Sequence, residues 1–477
     1  MTKKSPWVIF ALVAIAQFMV VLDSAITNVA LPSIQRDLLI SGSSLQWVIT
    51  AYALCFGGFL LLGGRAADLF GRRRMLLIGM VAFTLFSFLI GISHTPFQLI
   101  SLRALQGISA AFMSPAALSI VLVTFRDGMA RGKALGYWTL VATGGAAVGM
   151  LLGGVLTQYL GWRWNFFINV PVGIVMSYLI GKFVPVHERE EKRTSMDLAG
   201  STLVTAALMS VVYGFSQAPE WGWLAFKTLS VFGAAAILLG AFIWNEARAK
   251  HPLMPLSIFK IRNVTGANLI MAPVYASLMG MFFLTTLYIQ GVLHYSPVVT
   301  GLSFLPFPIL LGLMSTRIPK LVARYGFRRF LIMGPLLVAI GALWLSRLHV
   351  GSDYISGILP AFIIMPLGMG MTFMPTIAAA TSGVPAHEAG LASGLISTSQ
   401  QMGGALGLAI LSGVATSTAA STMHLGTKAA TIHGYTVAFL VSTIFMVAAM
   451  LVAALVIRGK RNDVASISST RLAEATS

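Results

Sequence analysis

The chain has 477 residues, of which 57% are hydrophobic and 10% charged, with a formal net charge of +18. A soluble globular protein carries about 25% charged residues, so an ordinary water-soluble enzyme is excluded, and the same apolar content excludes disorder. The one cysteine, Cys55, allows neither an intramolecular disulfide nor a cysteine-based zinc or iron-sulfur site.

A hydrocarbon layer about 30 Å thick is crossed by roughly 20 helical residues rising 1.5 Å each. Apolar stretches of that length predict fourteen spans, in chain order 8–31, 46–64, 75–93, 97–124, 134–158, 165–184, 198–216, 223–245, 265–290, 298–316, 329–346, 355–380, 389–417 and 435–457. Lys3 and Lys4 precede the first run as they would in a signal peptide. That run is too long for a signal h-region and lacks a small-residue cleavage site, so it reads as a retained span. With the amino terminus in the cytoplasm, alternation puts 26 of the 32 lysines and arginines inside and 5 outside, with Arg103 within a span. This asymmetry follows the positive-inside rule and predicts both termini cytoplasmic. The basic surplus is therefore a topological label, and nucleic acid is not expected as a partner.

Two loops repeat. Gly71-Arg-Arg-Arg-Met-Leu-Leu-Ile-Gly79 joins spans 2 and 3, and Gly326-Phe-Arg-Arg-Phe-Leu-Ile-Met-Gly334 joins spans 10 and 11. Basic inner loops also look alike for topological reasons alone. Read as a repeat, they predict an all-α integral membrane protein of two six-helix bundles with two extra central helices. The divisions are an N-terminal bundle over 1–193, an inserted helical pair with its flanking loop over 194–262, a C-terminal bundle over 263–460 and a tail over 461–477. Parallel repeats of this kind occur in secondary transporters, whose substrate site lies near the midplane between the halves.

Among 14 acids and 32 bases, Asp23 and Arg103 are the ones read as lying well inside a span. Each buried charge costs on the order of 2.5 to 3.5 kcal/mol on insertion scales, which makes both functional candidates. Asp23 lies roughly 12 Å from the outer end of span 1 and Arg103 roughly 10 Å from the outer start of span 4, so their depths match. Facing a shared cavity, they could exchange a proton on the acid against a cationic substrate; the alternative is a static ion pair stapling two helices. Asn28 and Gln17 in span 1 and Gln106 in span 4 supply neutral hydrogen-bonding groups at the same site or simple interhelical contacts. Gly145, Gly149 and Gly153 recur every fourth residue in span 5, beside Gly154. That face suits either a sliding contact or plain tight packing. Span 13 has a comparable face at Gly394, Gly403, Gly404 and Gly407, with Gln400 and Gln401, while Pro115 and Pro375 permit bending in spans 4 and 12.

The stretch Gly64-Arg-Ala-Ala-Asp68-Leu-Phe-Gly71-Arg-Arg-Arg74 resembles the signature loop of the major facilitator superfamily. Leu22-Asp23-Ser-Ala-Ile-Thr-Asn28-Val-Ala-Leu-Pro32 and Gly161-Trp-Arg-Trp-Asn-Phe-Phe-Ile-Asn169-Val-Pro-Val-Gly173 are similar to segments of its fourteen-span drug:proton antiporter branch, the QacA and EmrB type. Leu102-Arg103-Ala-Leu-Gln106-Gly107 resembles the span-4 motif holding that family's proton-relay arginine. The resemblance implies alternating access, with lipophilic and often cationic compounds exported across a bacterial inner membrane while protons flow inward. It assigns a latch between the halves to Gly64, Asp68, Gly71 and Arg72, implies no cofactor beyond the proton gradient and no metal, and leaves a periplasmic adaptor protein open as a partner. Two departures stand out: Ala323 where the second loop would carry the latch acid, and Gly149-Met150 where the antiporter motif has Gly-Pro.

Rival readings are a uniporter or proton-coupled importer on the same fold, and an intramembrane enzyme. No Gly-x4-Gly-Lys-Ser/Thr loop is present to hold a nucleotide. An enzyme would need a nucleophile with a base or a histidine cluster, yet His187-Glu188-Arg189-Glu190 lacks the second histidine of a zincin helix. Tyr52, Phe56, Met279, Phe283, Phe304 and Phe373 are candidates to line a lipophilic cavity, although such residues more often pack in a helix core or face lipid.

Overall fold

The computed structural model describes residues 5–125, 128–186, 197–249, 252, 254–385 and 388–458. Lys3, Lys4, Arg126, Lys250, the 187–196 loop with its His187 to Glu190 run, and the tail bearing Lys460, Arg461 and Arg471 lie outside the described residues. Fourteen helices are long and apolar enough to cross a membrane: Pro6–Leu38, Trp47–Phe70, Arg72–Gly91, Pro96–Thr124, Ala130–Tyr159, Trp164–Phe183, Leu198–Trp221, Phe226–Arg248, Arg262–Val292, Pro297–Val322, Phe327–Leu345, Tyr354–Thr381, Gly390–Ser421 and Thr427–Leu455. They are spans 1 to 14, and the chain is a multi-pass membrane protein. Among the described residues there is no strand.

Several helices run past the apolar stretches that announced them. Span 1 continues through Pro32 to Leu38 and so carries Arg36 and Asp37 in its last turn. Span 8 continues to Arg248 and includes Glu246, which is only 4% exposed. Asp23 is therefore not the sole buried acid within a span. An apolar window stops at the polar run from Asn245, whereas the helix continues because Asn245 and Glu246 find polar partners at its foot.

The repeat is visible in the geometry. Gly71 and Gly326 are one-residue joints at φ +97° and +77°, each ending one helix and starting the next, a region that strains any residue with a Cβ. Eight positions on, a Cβ at Gly79 would lie 2.9 Å from Ser109 O in span 4, and one at Gly334 would lie 2.7 Å from Gly368 O in span 12. Helix pairings follow the same rule: 1 with 5, 2 with 4, 3 with 4 and 3 with 6 recur as 9 with 13, 10 with 12, 11 with 12 and 11 with 14. The glycine faces repeat as well. Gly149 and Gly153 press on Leu22, Ala25 and Ile26 of span 1, and Gly403 and Gly407 press on Ala272 and Ala276 of span 9.

The halves meet where span 2 packs on span 13, span 5 on span 10, and span 1 on span 9. Spans 7 and 8 pair with each other, and span 7 lies against the 2–13 seam. There the Trp47 indole donates to Ser216 Oγ at 3.3 Å and the apolar residues Leu54, Val212 and Ala409 form one cluster. The 5–10 seam is closed at the end opposite the termini. A Cβ at Gly154 would lie 2.5 Å from Pro297 O, and one at Gly301 would overlap the Met150 carbonyl. Toward the arginine-rich end the packing is looser: a Cβ at Gly136 or Gly144 would meet nothing within 4 Å, and one at Gly312 of span 10 would meet Thr143 of span 5 only at ordinary contact distance, 3.7 Å. A groove of about 360 Å³ opens there, lined by Thr143 and Ala147 of span 5 and Pro308 and Gly312 of span 10. Span 5 itself is unbroken from Gly128 to Tyr159, Met150 keeping the N–H that a proline would remove.

Candidate functional site

Asp23 and Arg103 meet. Arg103 Nη1 lies 2.5 Å from Asp23 Oδ2, and the two residues are 1% and 0% exposed. Arg103 Nε also donates to the Val48 carbonyl at 3.0 Å and Nη1 to Gln106 Oε1 at 2.6 Å. Gln106 Nε2 in turn donates to Asp23 Oδ1 at 2.9 Å and to Ser87 Oγ at 2.7 Å. Asn169 Nδ2 donates to the same Asp23 oxygen at 3.1 Å and to Ser87 Oγ at 3.3 Å. The network around this one carboxylate thus gathers spans 1, 2, 3, 4 and 6 of the first bundle.

The pair is buried rather than facing a shared cavity, which is the arrangement of the alternative reading, an ion pair joining two helices. The Arg103 guanidinium carbon lies 4.4 Å from the Tyr52 ring centre and 5.7 Å from that of Phe166, and these rings seal the pair. In so dry a place the ion pair is held by the hydrogen bonds to Val48, Gln106 and Asn169 around it, and removal of either partner would strand a buried charge. Asn28 does not join the network. Its amide donates to Ser24 O of its own helix, and its Oδ1 is buried without a partner. Gln17 accepts from Ser114 Oγ at 2.8 Å, a second contact between spans 1 and 4 nearer the basic end.

Ser87, the Val48 carbonyl and Asn169 as a partner of Asp23 escaped the sequence reading. Asn169 could have been found from its chemistry, since an amide inside a span needs a hydrogen-bonding partner. The Trp-Arg-Trp segment has a role it was not assigned. Trp162 Nε1 and Arg163 Nη1 donate to Asp37 Oδ2 at 2.9 and 2.5 Å, fastening the start of span 6 to the end of span 1. Another missed contact crosses the halves, from Gln290 Nε2 in span 9 to the Val29 carbonyl in span 1 at 2.9 Å.

At the basic end, Asp68 pairs with Arg72 of its own loop at 3.3 Å, the side chains being 50% and 23% exposed. Gly71 is the positive-φ joint already described, while Gly64 makes only ordinary contact with Pro115, 3.7 Å from where a Cβ would stand. Arg73 donates to the Gly181 carbonyl of span 6. Arg65 donates to Pro252 O at 2.9 Å, reaching the connection between spans 8 and 9. Of the aromatic and methionine candidates, Tyr52 covers Arg103. Phe304 sits in a ring cluster with Phe282 and Phe362, and Phe373 stands edge-on to Tyr275. Phe283 borders a cavity of about 300 Å³ at the end opposite the termini.

The chain is 42% identical over 442 residues to the puromycin resistance protein pur8 of Streptomyces alboniger, covering 91% of this chain and 87% of that protein. It is 39% identical over 419 residues to the cephamycin export protein CmcT of Amycolatopsis lactamdurans, covering 86% of each. Over 411 residues it is 35% identical to the tetracenomycin C resistance and export protein of Streptomyces glaucescens, covering 85% and 75%. In three dimensions it superposes on the POT family transporter PepTSo with a TM-score of 0.68 at 16% identity, covering 95% of this chain and 99% of that one. A bacterial homologue of the lysosomal transporter Spinster gives the same TM-score at 14% identity, covering 96% and 98%. The profile of the Major Facilitator Superfamily matches residues 13–408. A polar knot inside the first of two like bundles, a glycine-jointed basic loop in each half, and that match give one conclusion: the chain is a transporter belonging to the Major Facilitator Superfamily.

Proposed function

We propose that the protein exports lipophilic, mainly cationic compounds across a bacterial cytoplasmic membrane in exchange for protons, with its termini and arginine-rich loops in the cytoplasm and no cofactor. The names of its relatives, which speak of antibiotic resistance and export, support the efflux half of this reading. The observation that carries the coupling half is the sealed Asp23–Arg103 pair.

A proton on Asp23 removes the charge that balances Arg103. The guanidinium keeps the Val48 carbonyl and Gln106 Oε1 but becomes an uncompensated cation in a dry interior, a costly arrangement. Relief requires the helices carrying these groups to shift, and span 1 is also the helix that touches span 9. Proton occupancy is thereby tied to the packing of the two halves. With spans 5 and 10 packed tightly at Gly154–Pro297 and more loosely toward the basic end, a compound would be collected from the basic side, and alternation would release the Gly154–Pro297 contact.

Drug susceptibility of a pump-deficient bacterium expressing the chain, wild type beside Asp23→Asn, tests this. Wild type should raise resistance and the variant, present in the membrane in equal amount, should not. Full resistance from Asp23→Asn would sink the coupling role. An importer or uniporter is separated by loading vesicles with acid and adding a transported cation: exchange lets protons out, import carries them in, and a uniporter leaves the pH unchanged.

A further inference from the structure

A second buried acid site lies at the foot of spans 7 and 8, away from the Asp23 network. Asp197 caps span 7, its Oδ1 accepting from Gly200 N at 2.7 Å. Asn245 Nδ2 in span 8 donates to both Asp197 oxygens, at 3.0 and 2.8 Å. The next residue, Glu246, accepts from Met254 N through Oε2 at 3.1 Å, while its Oε1 is buried with no hydrogen-bond donor. That oxygen and Asp197 Oδ2 border one small space: a Cβ at Gly200 would overlap the aspartate oxygen and lie 2.9 Å from the glutamate oxygen. The glycine is what lets two carboxyl groups face each other there.

Two facing carboxylates with no donor between them repel, and in a buried site both cannot stay ionised. One proton converts the contact into a charge-assisted O–H···O bond. Asp197 and Arg65 are the charged groups acting on Glu246 among the described residues. Arg65 gives Nη1 to Pro252 O rather than to the acid. The connection from span 8 to span 9 is thus held at two adjacent points, Pro252 by Arg65 of span 2 and Met254 by Glu246. It then enters a short 3-10 helix, Leu256–Lys260, whose Ile258 packs with Val264 of span 9 and Ala392 and Leu395 of span 13.

We propose that Asp197 and Glu246 form a second proton-binding site, which holds one shared proton while Met254 is docked on Glu246 and releases it to water when Met254 leaves. Loss of the proton restores the repulsion, turns Glu246 from Asp197 and takes away the acceptor that holds Met254 N. The inserted pair then acts as a proton-sensitive clasp on the chain leading into the second bundle. This assignment does not depend on the transported compound.

The test uses the full chain in lipid nanodiscs without substrate, comparing wild type with Glu246→Gln between about pH 5 and about pH 9. The amide of Gln can donate where the shared proton stood, so the clasp stays while the titration is lost. Infrared spectra should show a protonated-carboxyl band in wild type that disappears at high pH and is absent from the variant at every pH. Hydrogen exchange of amides 254–260, corrected for its intrinsic pH dependence, should rise with pH in wild type and stay flat in the variant. Asp197→Asn is the second variant, with the same expectation, should Glu246→Gln not fold. Superimposable infrared spectra would overturn the proposal. So would a band that never titrates, or segment exchange that follows pH equally in both proteins. Neither readout involves transport, so failure of the efflux reading and failure of this site are distinguishable.

Discussion

Asn169 Nδ2 donates to Asp23 Oδ1 at 3.1 Å, tying span 6 to the one acid at the centre of the first bundle. Gln106 is the other donor to that oxygen. Asn169→Ala removes one of the two donors to Oδ1, leaving the buried carboxylate with Gln106 and Arg103, and opens a void beside Ser87. The expected cost is about 1 to 3 kcal/mol, read as a lower melting temperature in detergent and reduced resistance in cells. Asn169→Asp sets a second carboxylate against the first and should abolish transport. Wild-type stability in both variants would show that the contact is incidental.

The clasp between Asp37 and the Trp162–Arg163 pair separates two kinds of contribution. The Asp37–Arg163 ion pair is substantially exposed on both sides, so Arg163→Ala should cost no more than about 1 kcal/mol. Trp162 is 4% exposed and packs edge-on against Phe166, the ring that also covers Arg103. Trp162→Ala should therefore cost about 3 to 5 kcal/mol and impair transport through Phe166. Thermal unfolding of the two variants gives the ranking, and the reverse order would refute it.

Much of the architecture was legible because hydrocarbon imposes long apolar runs and confines arginine to loops. The loop pair around Gly71 and Gly326, and the glycine faces of spans 5 and 13, could be read because small residues at fixed spacing have few other uses. Depth alone paired Asp23 with Arg103. What it could not give was the sealing of that pair, which depends on rings from spans 2 and 6 arriving over it. Glu246 was hidden for a related reason: an acid at the end of an apolar run looks solvated until Asp197, distant by 49 positions, is placed beside it. The two halves also differ where sequence spacing gave no warning. Span 6 meets span 1 through Asn169 and Asp23, while span 14 meets span 9 through Ser442 and Ser277, 2.6 Å apart. The buried polar contacts are thus asymmetric on a symmetric frame.

Closure at the end opposite the termini rests on span 5 crossing span 10 with almost no side chain between them. Gly154→Leu would drive its side chain into the Pro297 carbonyl, and Gly301→Leu would drive its own into Met150. Either should destabilise the closed seam and shift the population toward the arrangement open at that end. Because Cys55 is buried and is the chain's one cysteine, a reporter cysteine replacing Gln35, which borders the cavity at that end, can be placed in a Cys55→Ser background. Its maleimide labelling should quicken several-fold in the leucine variants and not in Gly136→Leu, where a Cβ meets nothing. Equal labelling in all three would mean that the seam is not what holds this state.

The Asp23–Arg103 pair makes an ordering prediction that a merely local contact would not. Arg103→Gln leaves the Asp23 carboxylate buried with no cation, and Asp23→Asn leaves the guanidinium in the same position. Breaking a buried pair from one side typically costs about 3 to 5 kcal/mol, whereas replacing both partners is often close to neutral. The double variant Asp23→Asn with Arg103→Gln should therefore melt higher than either single variant while remaining inactive. Arg103→Lys should also be inactive, since one ammonium cannot serve the Val48 carbonyl, Gln106 and Asp23 in the planes the guanidinium satisfies. If the double variant is instead the least stable, the pair is contributing packing and hydrogen bonds rather than balanced charge, and a proton on Asp23 would lose its leverage on the helices.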